Sequence, residues 1–219
     1  MISSHLPPPD TALILVDIQN DFLPGGSLAV PDGDAIIPLV NEAMALGAFH
    51  VIATRDWHPA NHCSFAANHP GKEPFDSAII GGLPTTLWPT HCVQNTYGAE
   101  FGPALDQSRI DYVFSKGMGE DVESFSGFYD ARRKPTLLGE YLRETGIRQV
   151  VVAGLATDYC VRATVIDALS YGFPTSVWLS ACRGIDAQAG DIDRAVAEME
   201  AAGAVAVRAR SAVSLLALV

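Results

Sequence analysis

Six short runs of apolar, largely β-branched residues, at positions 12–18, 50–54, 111–115, 149–155, 175–179 and 204–207, constrain the fold more than any other feature of the chain. Each is the length of a strand buried on both faces. Between several of them lie segments of helical period, 34–46, 136–145, 158–171 and 192–201, closed by Gly47, Gly146, Gly172 and Gly203. Strand and helix alternating in this way predict an α/β fold: a doubly wound, mostly parallel six-stranded sheet with helices on both faces, a three-layer α/β/α arrangement. The interval 57–110 breaks the rhythm. It is rich in Pro, Gly, His and Asn, and is assigned to active-site loops. Residues 211–219 are apolar enough for either a last helix or a packing tail.

A length of 219 residues, 48% hydrophobic and 18% charged, suits one domain spanning 1–219 with a sizeable core. Fourteen basic against 25 acidic residues give a net charge of −11, which repels phosphate backbones, so nucleic acid is not expected as a partner. No apolar run approaches the roughly 20 residues of a spanning helix. The first ten residues lack the pattern of a leader, so no membrane partner and a cytoplasmic location are expected. Cys63, Cys92, Cys160 and Cys182 are widely spaced with no C-x-x-C pair, which argues against a disulfide scaffold or zinc ribbon. The sequence leaves the oligomeric state open, a homo-oligomer included.

Open parallel sheets bind ligands beyond the carboxyl ends of their strands. Asp17 closes the first predicted strand, Asp56 follows the second, Lys116 the third, and Cys160 lies just past the fourth. Taken singly, each has a packing or capping explanation; together they converge on one rim. Thr157 or Asp158 can cap a helix that holds Cys160 in its first turn, where free N–H groups and the macrodipole favour a thiolate. With Asp17 as general base and Lys116 as a cation lowering the thiol pKa, such a set can perform acyl transfer without a catalytic histidine. Backbone N–H groups between Ala156 and Cys160 would receive the oxyanion.

A second constellation is Asp56-Trp57-His58, with His62, His69 and His91 downstream; five of the six histidines fall between His50 and His91. Asp56 and His58 project to one side of an extended segment, and a third His from a distant loop would complete a facial set on a divalent ion. The pairs His62-Cys63 and His91-Cys92 allow a rival thiolate site. Phe22, Trp57, Trp88 and Phe125 flank these positions and could sandwich a flat aromatic ligand, though core packing accounts for some of them.

These residues also carry a resemblance. Val16-Asp17-Ile18-Gln19-Asn20-Asp21-Phe22 followed by Pro24-Gly25-Gly26-Ser27-Leu28 resembles the opening signature of the nicotinamidases within the isochorismatase-like hydrolases. Thr54-Arg55-Asp56-Trp57-His58-Pro59, with Asn61-His62 and Ser64-Phe65, resembles their metal motif, and Trp88-Pro89-Thr90-His91-Cys92-Val93 the segment of the third ligand. Gly154-Leu155-Ala156-Thr157-Asp158-Tyr159-Cys160-Val161 resembles the nucleophile segment; Lys116-Gly117 and Phe125-Ser126-Gly127-Phe128 fill the place of the catalytic lysine and its following loop. The likeness runs from about Asp10 to Gly184.

The resemblance implies a catalytic triad of Asp17, Lys116 and Cys160, and a divalent ion held by Asp56, His58 and His91, zinc being taken ahead of manganese or iron. It implies a cis peptide at Leu155–Ala156, oxyanion donors on Ala156 and Cys160, and ring contacts from Phe22 and Trp88. His62 and Ser64 stand outside this set, although a nearby histidine joins the metal in some relatives. The implied reaction is hydrolysis of nicotinamide to nicotinate and ammonia through a Cys160 thioester, with pyrazinamide as a related substrate and NAD salvage as the setting. Rival readings are a relative acting on carbamoyl or ureido amides, whose members generally lack the Asp-x-His motif, and a non-catalytic metal-binding protein. A nucleotide-binding domain is disfavoured, because no G-x-G-x-x-G follows the first strand.

Overall fold

The computed structural model describes residues 10–217. Its main sheet contains β1 (Thr11–Val16), β2 (His50–Asp56), β5 (Tyr112–Lys116), β6 (Gln149–Leu155), β7 (Thr175–Arg183) and β8 (Val205–Val207) in the order β5-β2-β1-β6-β7-β8. All five pairings are parallel. Each predicted strand is present, and the expected mostly parallel sheet is wholly parallel. The order reverses beside β1, which places a switch point, the usual ligand site of such sheets, between the ends of β1 and β6.

Side-chain alternation along β1 shows how the layers form. Leu13 and Leu15 enter one buried cluster with Val40 and Met44 of α1 (Ile37–Ala45) and Ala212 and Leu215 of α5 (Ala212–Leu216). Ala12, Ile14 and Val16 point the other way, joining Leu138 and Leu142 of α2 (Leu138–Glu144), Val165 of α3 (Arg162–Tyr171) and Met199 of α4 (Asp191–Ala201). Burial on both faces is why the strand reads as a continuous apolar run. The segment at 211–219 forms the short helix α5, capped by the Ser211 hydroxyl accepting from the Ser214 N–H; its last two residues lie outside the described range.

The interval 57–110 is not all loop. It holds an antiparallel hairpin of β3 (Ser77–Ile80) and β4 (Leu83–Thr86) closed by Gly81-Gly82. The paired glycines are a hairpin signal in the sequence, but the flanking strands are half-exposed and too mixed in character to read as core.

The strand ends are level: Val16 lies opposite both Thr54 and Gly154, and Asp56 opposite Lys116. At Gly154 (φ +128°) β6 approaches β1 so closely that a Cβ would lie 2.2 Å from the Val16 carbonyl oxygen. Gly154→Ala is therefore expected to destabilise the fold by about 3 kcal/mol or more, measured by urea unfolding; a variant of unchanged midpoint would contradict the close approach.

Candidate active site

Asp17 follows the last residue of β1 in a left-handed conformation (φ +51°) that a short acidic side chain tolerates. Its backbone N–H donates to the Thr54 carbonyl at 3.2 Å and its Oδ1 accepts the Thr54 hydroxyl at 2.7 Å, so the carboxylate is fixed over the sheet end with no exposure. Lys116 ends β5 and is 2% exposed. Its Nζ lies 2.8 Å from Asp17 Oδ2, 2.5 Å from Asp56 Oδ1 and 3.4 Å from Cys160 Sγ, and donates to the Ser124 carbonyl at 3.2 Å. The Asp56–Lys116 contact follows from register, since the two are opposed on neighbouring strands.

Cys160 is buried in a turn of π-helix at Thr157–Val161 that leads into α3, directly after β6 and the cis Leu155–Ala156 peptide. One expectation is corrected. Neither Thr157 nor Asp158 caps this turn; the Asp158 carboxylate accepts the N–H groups of Ile185 and Asp186, tying down the loop after β7. Burial pushes the Cys160 thiol well above its ordinary range, Lys116 pulls it back, and Asp17 and Asp56 push it further up. Burial likewise raises Asp17, Lys116 opposing. The neighbouring carboxylates overcome burial at Lys116 and keep it charged.

Beside this group, ligand atoms of Asp56, His58 and His91 lie within 4.8 Å of one another, all three residues buried. Nε2 of His58 and of His91 are 3.6 and 3.9 Å from Asp56 Oδ2, while their Nδ1 atoms donate to the carbonyls of Gly117 (2.9 Å) and Pro89 (2.7 Å). Carbonyls holding Nδ1 leave Nε2 with its lone pair turned inward, as a metal-binding imidazole requires. At Gly117 (φ +62°) a Cβ would lie 2.3 Å from the His58 ring, so only glycine lets the carbonyl and ring meet there. One carboxylate and two imidazoles form a donor set suited to a divalent ion. Burial, with His58 adding to it, lowers His91 to about 4; Asp56 outweighs burial at His58 and raises it. Burial raises Asp56, but Lys116 and then the histidines bring it well below the carboxylate range.

His62 is turned to other partners, with Nδ1 2.8 Å from the Ser64 hydroxyl and Nε2 3.1 Å from the Val122 carbonyl. His69 bonds the Cys63 carbonyl and His50 faces Tyr141 and Asp111. Among the described residues, neither Cys63 nor Cys92 enters a cluster of ligands, so the rival thiolate site does not form.

The two groups open into one cavity lined by Phe22, Trp88, Phe125, Tyr159, Ala156 and Cys160, with Asp56, His91 and Glu123 among its polar walls. Trp88 meets Tyr159 edge to face at 4.9 Å. Trp57 is not part of this wall; the Arg55 guanidinium covers its ring at 3.9 Å. The sequence reading missed Tyr159, Glu123 and Gln19. Gln19 pins Asp56 by its backbone, accepting its N–H at 2.8 Å and donating to its carbonyl at 2.8 Å. A glutamine three residues past the end of β1 was the available signal for that bond.

The isochorismatase domain signature matches residues 11–211. The chain is 48% identical over 200 residues to the nicotinamidase of Escherichia coli (strain K12), covering 90% of this chain and 93% of that one. An Acinetobacter baumanii nicotinamidase pyrazinamidase superposes with a TM-score of 0.89 at 43% identity, over 96% of this chain and 100% of that one. The pyrazinamidase of Pyrococcus horikoshii, solved in complex with zinc, gives a TM-score of 0.74 at 42% identity, over 92% and 100% of the two chains. With wholly parallel sheet, rim constellation and sequence match in agreement, the chain belongs to the isochorismatase family.

Proposed function

We propose that this chain is an amidohydrolase that converts nicotinamide to nicotinate and ammonia, with pyrazinamide as a second substrate. The observation that carries the reading is the Lys116 ammonium in contact with Asp17, Asp56 and Cys160, which joins a nucleophile, a base and a ligand cluster at one aromatic-walled cavity. The likeness to nicotinamidases over nine-tenths of the chain supports the substrate, and the match over residues 11–211 supports one hydrolase domain.

In the reaction, Asp17 takes the Cys160 proton as Sγ attacks the carboxamide carbon. The N–H groups of Ala156 and Cys160 receive the oxyanion, and Lys116 offsets the negative charge gathered around Sγ. Asp17 returns its proton to the departing nitrogen, leaving a thioester and ammonia. It then accepts a proton from the water that releases nicotinate and restores the thiol. Asp56, His58 and His91 would hold one divalent ion, zinc first and manganese or iron after it, whose chemistry there is Lewis-acid binding of the pyridine nitrogen. The zinc in the Pyrococcus horikoshii relative supports that order. Phe22 and Trp88 hold the plane of the ring.

Purified protein is expected to release ammonia from nicotinamide, Cys160→Ala to release none, and chelated protein to regain activity on adding zinc. Wild-type protein inert towards nicotinamide with added metals would overturn the substrate assignment.

Stability should also depend on pH. Burial, reinforced by His58, lowers His62 to about 4 from an ordinary 6.5. Between those values the unfolded chain binds a proton that the folded chain does not, so this contribution is complete above 6.5 and is lost as pH falls towards 4. Urea unfolding of metal-free protein at stepped pH should show that decline, and His62→Asn should make it shallower. An unchanged slope in the variant would refute the assignment to His62.

A further inference from the structure

We propose that Glu123 is an outer-sphere member of the metal centre, its free carboxylate oxygen holding a water of the ion's shell, and that it helps set the affinity of the site. The inference rests on the reading of Asp56, His58 and His91 as metal ligands. Glu123 is 6% exposed, and only one of its oxygens has a partner: Oε1 accepts the Ser124 N–H at 2.9 Å. Oε2 is buried and unbonded in the protein, on a residue that lines the same cavity as Asp56 and His91. An orphaned carboxylate oxygen is costly unless a cation or water serves it.

The surrounding chain lies against the same centre. In the strap from Gly117 to Ser124, the Gly117 carbonyl holds His58, the Val122 carbonyl accepts from His62 and the Ser124 carbonyl accepts from Lys116. Glu123 sits between the last two, and its charge bears on both His58 and His91. Among the described residues, two clusters of ligand atoms lie within 4.8 Å, Asp56-His58-His91 and Asp17-Asp56-Cys160, and Glu123 is in neither, so its role is through water rather than direct ligation. Charge agrees with this placement. Lys116 is in contact with Asp17 and Asp56, whereas Glu123 forms no ion pair among the described residues, so a divalent ion in the neighbouring cluster would offset its charge.

The test is a Zn²⁺ titration of metal-free wild type, Glu123→Gln, Glu123→Ala and His91→Ala in competition with a chromophoric chelator, with melting temperatures of each protein before and after loading. Glu123→Gln and Glu123→Ala are expected to bind Zn²⁺ about 10–100-fold more weakly. Metal-free Glu123→Gln should melt at or above wild type, because a buried uncompensated charge has gone, and below it once both are loaded. A purely structural Glu123 would lower both melting temperatures together. Zn²⁺ affinity of both Glu123 variants within twofold of wild type, with His91→Ala greatly weakened, would overturn the role of Glu123 alone. Wild type and His91→Ala that bind alike, or not at all, would overturn it together with the metal site.

Discussion

The buried ammonium of Lys116 is the interaction on which the rest of the rim depends. Taken from water alone it would be strongly disfavoured, and it is held by Asp17 on one side and Asp56 on the other, with Cys160 within reach. Removing one partner from such a group leaves an uncompensated charge, at a cost of about 3–5 kcal/mol. The same contacts make two functional halves inseparable. Asp17 belongs to the proposed chemistry of the thiol and Asp56 to the proposed metal centre, and a single side chain links them.

The fold was legible because β1 and β6 are buried along almost their whole length and β2 nearly so, which leaves apolar runs that stand out from the intervening segments. A charged residue at or just past the carboxyl end of three strands reaches the site, so Asp17, Asp56 and Lys116 could be picked out by their shared position at one rim. His58 and His91 were legible through their type and clustering, helped by the resemblance. What sequence could not supply were relations between distant segments. Gln19 reads as an ordinary polar residue until its two bonds to the Asp56 backbone are seen, and Glu123 as one acid among several in a polar loop.

The turn that carries Cys160 illustrates the same point. Asp158 looked like a cap, yet its carboxylate is spent on the Ile185 and Asp186 N–H groups, which brings the loop after β7 against the cavity and places Ile185 in its wall. A residue near the nucleophile thus shapes the pocket from the opposite side. Tyr159, between the two, supplies part of the aromatic surface, so three successive positions hold the loop, the ring wall and the thiol.

The parallel register of β2 and β5 has a consequence for how this chain tolerates change. Because side chains alternate with a period of two, inserting or deleting one residue within β5 would swing Lys116 to the opposite face of the sheet and strand both carboxylates. The hairpin tip at Gly81-Gly82 joins only its own two strands, so added length there would leave the rim in place. Variation in length is therefore confined by geometry to the hairpin and the outer loops, while the strands that end at the site are fixed in length to the residue.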